Sequence, residues 1–225
     1  MPTLTPGPVS GGLLISLEGG DGTGKSTQFR LLVEDLKTAG WPVVSAREPG
    51  GTPVSEKIRR ILLDPANEGM RPETEAMLFA ASRAQLVRQV VGPALEAGSL
   101  VVLDRYVDSS LVYQGRALGI TGFVTTVNGL ATGGLLPDLT LLFDVDPAKA
   151  GKYKKNGATD DRIERRDAGY HRTVREAFLE LARNSGGRMV VVDAARPIQE
   201  VHAEVMGLVW GRLSAKSNHP GGGCL

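Results

Sequence analysis

A short glycine-rich run near the N-terminus leaves this chain few architectures. Gly19-Gly20-Asp21-Gly22-Thr23-Gly24-Lys25-Ser26 follows the apolar stretch Leu13-Leu14-Ile15-Ser16-Leu17 and opens an amphipathic segment. The spacing G-x-x-x-x-G-K-[ST] between a strand and a helix is that of a triphosphate-binding loop. Its glycines let backbone N–H groups turn inward around an anion, and the positive end of the following helix adds to the field. In such a loop Lys25 reaches the β- and γ-phosphates, and the Ser26 hydroxyl is a ligand for Mg²⁺. Gly19 through Thr27 are therefore the expected nucleotide cradle.

Around this loop, apolar β-type runs alternate with helical patterns. Strands are expected at Leu13 to Glu18, Val43 to Arg47, Leu100 to Asp104, Leu139 to Asp144 and Met189 to Asp193. Several lack polar alternation, as strands do when helices cover both sheet faces. Helices are expected at Lys25 to Ala39, Pro53 to Leu63, Pro72 to Ala97, within Ser109 to Thr132, at Ile163 to Arg183, and at Ile198 to Leu213. Gly40 and Gly98 stand where helix C-caps belong, each shortly before a strand. Alternating β and α elements imply an α/β fold: a three-layer, doubly wound parallel sheet of about five strands. Residues 1–12, rich in proline and glycine, read as a loose leader. Residues 13–213 form the domain, and 214–225 read as a loose tail.

Ligands in such sheets sit beyond the C-terminal strand ends. Four of those ends carry polar residues: Glu18, Arg47-Glu48-Pro49-Gly50-Gly51, Asp104-Arg105-Tyr106, and Asp144-Val145-Asp146. They are expected to converge on one cleft. The formal charge of only +1 argues against a general nucleic-acid or acidic-membrane binder. One cysteine, Cys224, excludes a disulfide or a cysteine-based metal site within the chain. His171, His202 and His219 have no zinc-site spacing and read as surface or structural residues. With no transmembrane or signal-like segment, the expected location is the cytoplasm.

Taken in order, several segments resemble the bacterial thymidylate kinase family. They are Glu18 to Thr27, Arg47-Glu-Pro-Gly-Gly-Thr-Pro53, Leu78-Phe-Ala-Ala-Ser-Arg83, Asp104-Arg-Tyr-Val-Asp-Ser-Ser110, Tyr113-Gln114-Gly115 and Asp161-Arg162-Ile163-Glu164. The likeness runs from about Leu13 to about Leu213. It implies a P-loop nucleoside monophosphate kinase that moves the γ-phosphoryl of ATP to dTMP with Mg²⁺, and a homodimer without nucleic-acid or membrane partners. It assigns roles residue by residue. Lys25, Arg105 and Arg162 are catalytic cations. Asp21 faces the sugar 3′-hydroxyl or metal-bound water. Asp104, with Ser26 at the metal, either assists through water or orients Arg105. Phe79 stacks on thymine, although on sequence alone core packing would be the favoured reading and only the family motif reverses that order. Arg83, Gln114 and Arg59 lie at the base edge, and Ser110, Tyr113, Glu48 and Pro49 line the acceptor. Arg196 either flanks adenine or belongs to a plain turn.

One departure stands out. A branch of the family carries a basic residue at the position of Gly22, so here the extra cation is expected from a lid at about 150–164. Relatives usually place arginines there. This chain reads Lys152-Tyr153-Lys154-Lys155-Asn156-Gly157, giving charge without arginine's bidentate fork. Two rival readings stand beside this one: a kinase for another or modified pyrimidine monophosphate, which the lid does little to support because Phe79, Arg83 and Gln114 match, and a nucleotide-binding protein with reduced catalysis, for which the lid is the motive.

Overall fold

The computed structural model describes residues 5–146 and 161–217. Its centre is a five-stranded sheet in the order β2-β3-β1-β4-β5. The strands are β1 (Leu13–Gly19), β2 (Val43–Arg47), β3 (Leu100–Asp104), β4 (Leu139–Asp144) and β5 (Met189–Asp193). Every neighbouring pair is parallel. The helices are α1 (Lys25–Thr38), α2 (Pro53–Leu63), α3 (Pro72–Leu86), α4 (Gly92–Glu96), α5 (Val107–Ser110), α6 (Thr121–Thr132), α7 (Ala168–Arg183) and α8 (Ile198–Ser217). This is the doubly wound α/β arrangement expected from the β/α alternation.

β1 is buried along its whole length, and its alternation divides the interior. Leu13, Ile15 and Leu17 pack with Leu32 and Leu36 of α1 and with Val201, Val205, Val209 and Leu213 of α8. On the other face Leu14 joins Leu86, Val91, Val101 and Leu103. Ser16 and Glu18 also point to that second side, where polar groups receive them. The Ser16 hydroxyl lies 2.9 Å from that of Thr140. The Glu18 carboxylate accepts from Tyr106 N at 2.7 Å and Ser109 Oγ at 2.5 Å. The apolar run thus contains two polar residues because their partners are built into the neighbouring elements.

Several boundaries differ from expectation for local reasons. The long helix expected from Pro72 to Ala97 is interrupted by a π-helical turn at Val87–Val91 before α4. Pro93 lacks an N–H, and a π turn relieves the clash its ring would cause in a regular helix. The helix expected from Ile163 begins at Ala168, because Asp167 caps it by accepting from Tyr170 N at 2.9 Å. The leader is not loose throughout: Val9 is buried in the core, and its N–H donates to Gly98 O at 2.8 Å. Residues 214–217, expected to belong to a loose tail, are helical instead. α8 continues to Ser217, and Lys216 Nζ donates to Asp138 Oδ1 at 2.9 Å.

The registers bring the strand ends level. Arg47 and Leu17 both flank Asp104, and Gly19 faces Phe143. Arg105 N then donates to Leu17 O at 3.0 Å, and Glu48 N to Asp104 O at 2.9 Å. The phosphate loop, the Glu48 turn and the Arg105 turn therefore leave the sheet side by side.

Candidate active site

The phosphate loop closes tightly against the sheet. Gly19 has φ 143°, and a Cβ there would lie 2.5 Å from Phe143 O. Gly24 takes φ 78° and caps α1, which no β-carbon-bearing residue does at low cost. Thr23 Oγ1 donates to Gly20 O at 3.0 Å. At the mouth of the loop Lys25 Nζ donates to Asp104 Oδ1 at 2.6 Å. Burial and nearby Arg105 push the Lys25 ammonium below its ordinary pKa, with Asp104 pulling the other way. Burial would raise Asp104, but Lys25 and Arg105 outweigh it and hold this carboxyl below the ordinary value.

Arg105 is the one non-glycine residue with positive φ (71°) among the described residues. Such backbone strain is held in place only by strong surroundings, and here they are explicit. NH1 donates to Gly19 O at 3.0 Å and Ser109 Oγ at 3.2 Å, while NH2 donates to Asp21 Oδ1 at 2.8 Å. The guanidinium also lies 5.1 Å from the centroid of the Tyr113 ring. Beneath it, the Glu18 carboxylate holds the turn by its bonds to Tyr106 and Ser109. Burial, with Asp108 nearby, pushes Glu18 up to about pH 7.

These groups open onto a cleft of about 210 Å³ lined by charged, polar and aromatic side chains. Asp21, Lys25, Ser26 and Asp104 line its phosphate side. Glu48, Pro49, Arg59, Phe79, Arg105, Tyr113 and Gln114 line the other. Arg59 is steadied by donating to Pro49 O at 2.9 Å. Two buried atoms of this wall, Glu48 Oε1 and Tyr113 Oη, have no hydrogen-bond partner among the described residues. Buried polar atoms are seldom left so, and both residues line the cleft. Phe79 is half-buried: it lines the cleft and also packs with the cluster of Tyr113 and Phe178.

Other expected site residues stand behind the wall. Arg83 is fully buried: Nε donates to Glu48 Oε2 at 2.7 Å, NH1 to Ser110 Oγ at 2.9 Å and to Asn128 Oδ1, and NH2 to Tyr106 O at 3.1 Å. Burial raises the Glu48 pKa, and this Arg83 pairing opposes it. Arg162 is buried too. Its Nε donates to Leu62 O at 2.9 Å and its NH2 lies 2.6 Å from Glu75 Oε2. Arg196 is away from the cleft, paired with Glu204 and donating to Asp193 O at 3.1 Å. The expected convergence of four strand ends is met by three. Asp144 instead receives Arg175 at 2.7 and 2.8 Å. His202, buried between Gln28 and Asp35, is structural. Lys152, Lys154, Lys155 and Gly157 lie outside the described residues.

Sequence reasoning missed the buried carboxylate of Glu75, which meets Gln114, Arg162 and Arg166. Its signal was available: Glu75, Phe79 and Arg83 recur every four residues, so they share one face of α3. Ser109, the clamp between Glu18 and Arg105, carried no comparable pattern.

Known proteins resemble this chain over most of its length. The family model described as thymidylate kinase matches residues 17–205. A thymidylate kinase of Symbiobacterium thermophilum is 52% identical over 198 residues, covering 88% of this chain and 92% of the relative. One from Deinococcus radiodurans is 46% identical over 211 residues, covering 93% and 100%. Among solved structures, thymidylate kinase from Ehrlichia chaffeensis superimposes with a TM-score of 0.73 at 30% identity, over 88% of this chain and 98% of that one. The chain belongs to the thymidylate kinase family.

Proposed function

We infer that this chain transfers the γ-phosphoryl group of ATP to dTMP, giving ADP and dTDP for dTTP synthesis. The observation that carries the reading is the meeting of Lys25, at the start of α1, and Arg105, directly after β3, in a cleft whose far wall holds Phe79, Tyr113 and Gln114. The phosphate loop cradles the donor. Arg105, with its planar fork, holds the acceptor phosphate, and Asp21 and Ser109 keep that fork in one orientation. Phe79 offers a face for the pyrimidine, and Gln114 an amide for its edge.

The attacking group is already a phosphate oxygen, so no strong general base is needed. Catalysis rests on position and on positive charge around the transferring group. Lys25 and Arg105 supply that charge from opposite sides of the reacting phosphates. Arg162 and the lysines of the lid are further candidates, and Arg196 is a candidate at the adenine. Ser26 and Asp104 offer hydroxyl and carboxylate oxygens, donors that fit Mg²⁺, an ion that keeps several waters and takes few protein ligands. When bound, Mg²⁺ would neutralise phosphate charge and orient the donor.

Two copies pair in this reading. Support comes from exposed apolar side chains on adjoining helices: Ile61 of α2, Met77 of α3, and Phe123 and Leu130 of α6. Among the described residues no helix is long and apolar enough to cross a membrane. An ATP-dependent reaction on a nucleotide belongs in the cytoplasm. The direct test is ³¹P NMR of purified protein with ATP, Mg²⁺ and dTMP. ADP and dTDP should appear in equal amounts; release of inorganic phosphate without dTDP would overturn the assignment.

A further inference from the structure

The amide of a glutamine can present either a donor or an acceptor to its surroundings, and which one it presents decides what it recognises. Gln114 lines the cleft but is almost wholly buried. Its Nε2 donates to Glu75 Oε1 at 2.9 Å. Glu75 is itself fully buried; its other oxygen accepts from Arg166 NH2 at 2.6 Å and forms an ion pair with Arg162 NH2, 2.6 Å away. With two cations on one side, Glu75 meets Gln114 as an acceptor. The NH₂ end of Gln114 must therefore face Glu75, which leaves the carbonyl Oε1 for whatever lies in the cleft.

We propose that Glu75 is a specificity-positioning residue: by fixing the amide of Gln114 it presents Oε1 to the base, so the site accepts a pyrimidine with a hydrogen on N3 and rejects one whose N3 is a bare acceptor. Thymine and uracil are of the first kind and cytosine is of the second. The inference rests on the reading of the acceptor as a pyrimidine monophosphate. It adds what orients the reading group. Arg162 and Arg166, from the segment before α7, take part by holding the charge that sets the orientation. Facing cytosine, Oε1 would oppose a lone pair with a lone pair inside a buried site, where unpaired polar atoms discriminate strongly.

The test is Glu75→Gln. Its new carbonyl can still receive the two guanidiniums, which turns its NH₂ toward Gln114. Gln114 must then reverse and show its own NH₂ to the base. The ratio of kcat/KM for dTMP to that for dCMP should fall about tenfold or more, with dUMP following dTMP. A purely structural role would lower all three together and leave the ratio unchanged, and that result would overturn the proposal. Glu75→Gln combined with Gln114→Glu returns an acceptor to the cleft and should restore the preference for dTMP over dCMP. Failure to restore it in a folded protein counts against the proposal. If the single variant does not melt cooperatively, a high-resolution structure of the unaltered protein with dTMP decides. Gln114 Oε1 toward N3 supports the proposal and Nε2 toward N3 refutes it. Absence of dTMP turnover in the unaltered protein would instead remove the pyrimidine reading beneath it.

Discussion

Glu18 gives a prediction whose size follows from its surroundings. It stands at the end of β1 with no exposed surface, accepts hydrogen bonds from Tyr106 N and Ser109 Oγ, and has Asp108 and Arg105 close by. Asp108 is fully buried and paired with Arg188 at 2.7 and 2.8 Å. Burial is the largest effect on Glu18 and raises its pKa from 4.5 to about 7. The folded state therefore holds this proton more tightly than the unfolded chain. Below about pH 4.5 both states are protonated and burial of the side chain carries no charge penalty. From there to about pH 7 the unfolded chain ionises first, so folding stability falls at about 1.4 kcal/mol per pH unit. Above pH 7 the loss levels off at about 3 kcal/mol. Glu18→Gln removes the titration and keeps the contacts, because its carbonyl can accept from Tyr106 and its amide can donate to Ser109. Urea unfolding at pH 5 and pH 8 should therefore show the unaltered protein losing roughly 2 to 3 kcal/mol more than the variant between the two conditions. Parallel behaviour of the two proteins would mean that Glu18 titrates normally and that burial at the end of β1 is not what controls it.

Two further changes divide the cleft. Lys25→Ala and Arg105→Ala should each lower turnover about 100-fold or more, but on different sides. Calorimetry should find weakened ATP binding for the first, and for the second a raised KM for dTMP with ATP affinity kept within a few-fold. Equal loss of both ligands by Arg105→Ala would remove it from the acceptor phosphate. Phe79→Ala should weaken dTMP binding by about 1–3 kcal/mol, the range for lost base stacking. A fall in thermal stability with unchanged dTMP affinity would assign Phe79 to the core instead.

Much of this could be read from the chain because the physics involved is local. β1, β3 and β4 are buried apolar runs and β2 and β5 are partly exposed strands at the sheet edges, yet four of the five C-terminal ends fall where the apolar run ends, and β1 extends one residue further into the glycine loop. Gly40 and Gly98 stop helices because both adopt positive φ. What was not legible depends on partners distant in sequence. Asp144 and Glu18 look alike as acidic strand ends. One is taken by Arg175 of α7, and the other is buried under the Arg105 turn. Arg83 and Arg162 read as cations free to meet a ligand, yet each sits beside a buried carboxylate supplied from elsewhere, Glu48 or Glu75. Burial of that kind is set by packing, and no local pattern announces it.

The central claim is that the phosphate loop and the wall of Phe79 and Gln114 serve one reaction on one kind of acceptor. Initial rates of ADP release at saturating ATP and Mg²⁺, measured across dTMP, dUMP, UMP, CMP and AMP, test it most directly. The expected result is the highest kcat/KM for dTMP, a lower value for dUMP, and little turnover of the ribonucleotides or of AMP. Preference for another acceptor, or ATP binding without turnover of any of the five, would contradict it.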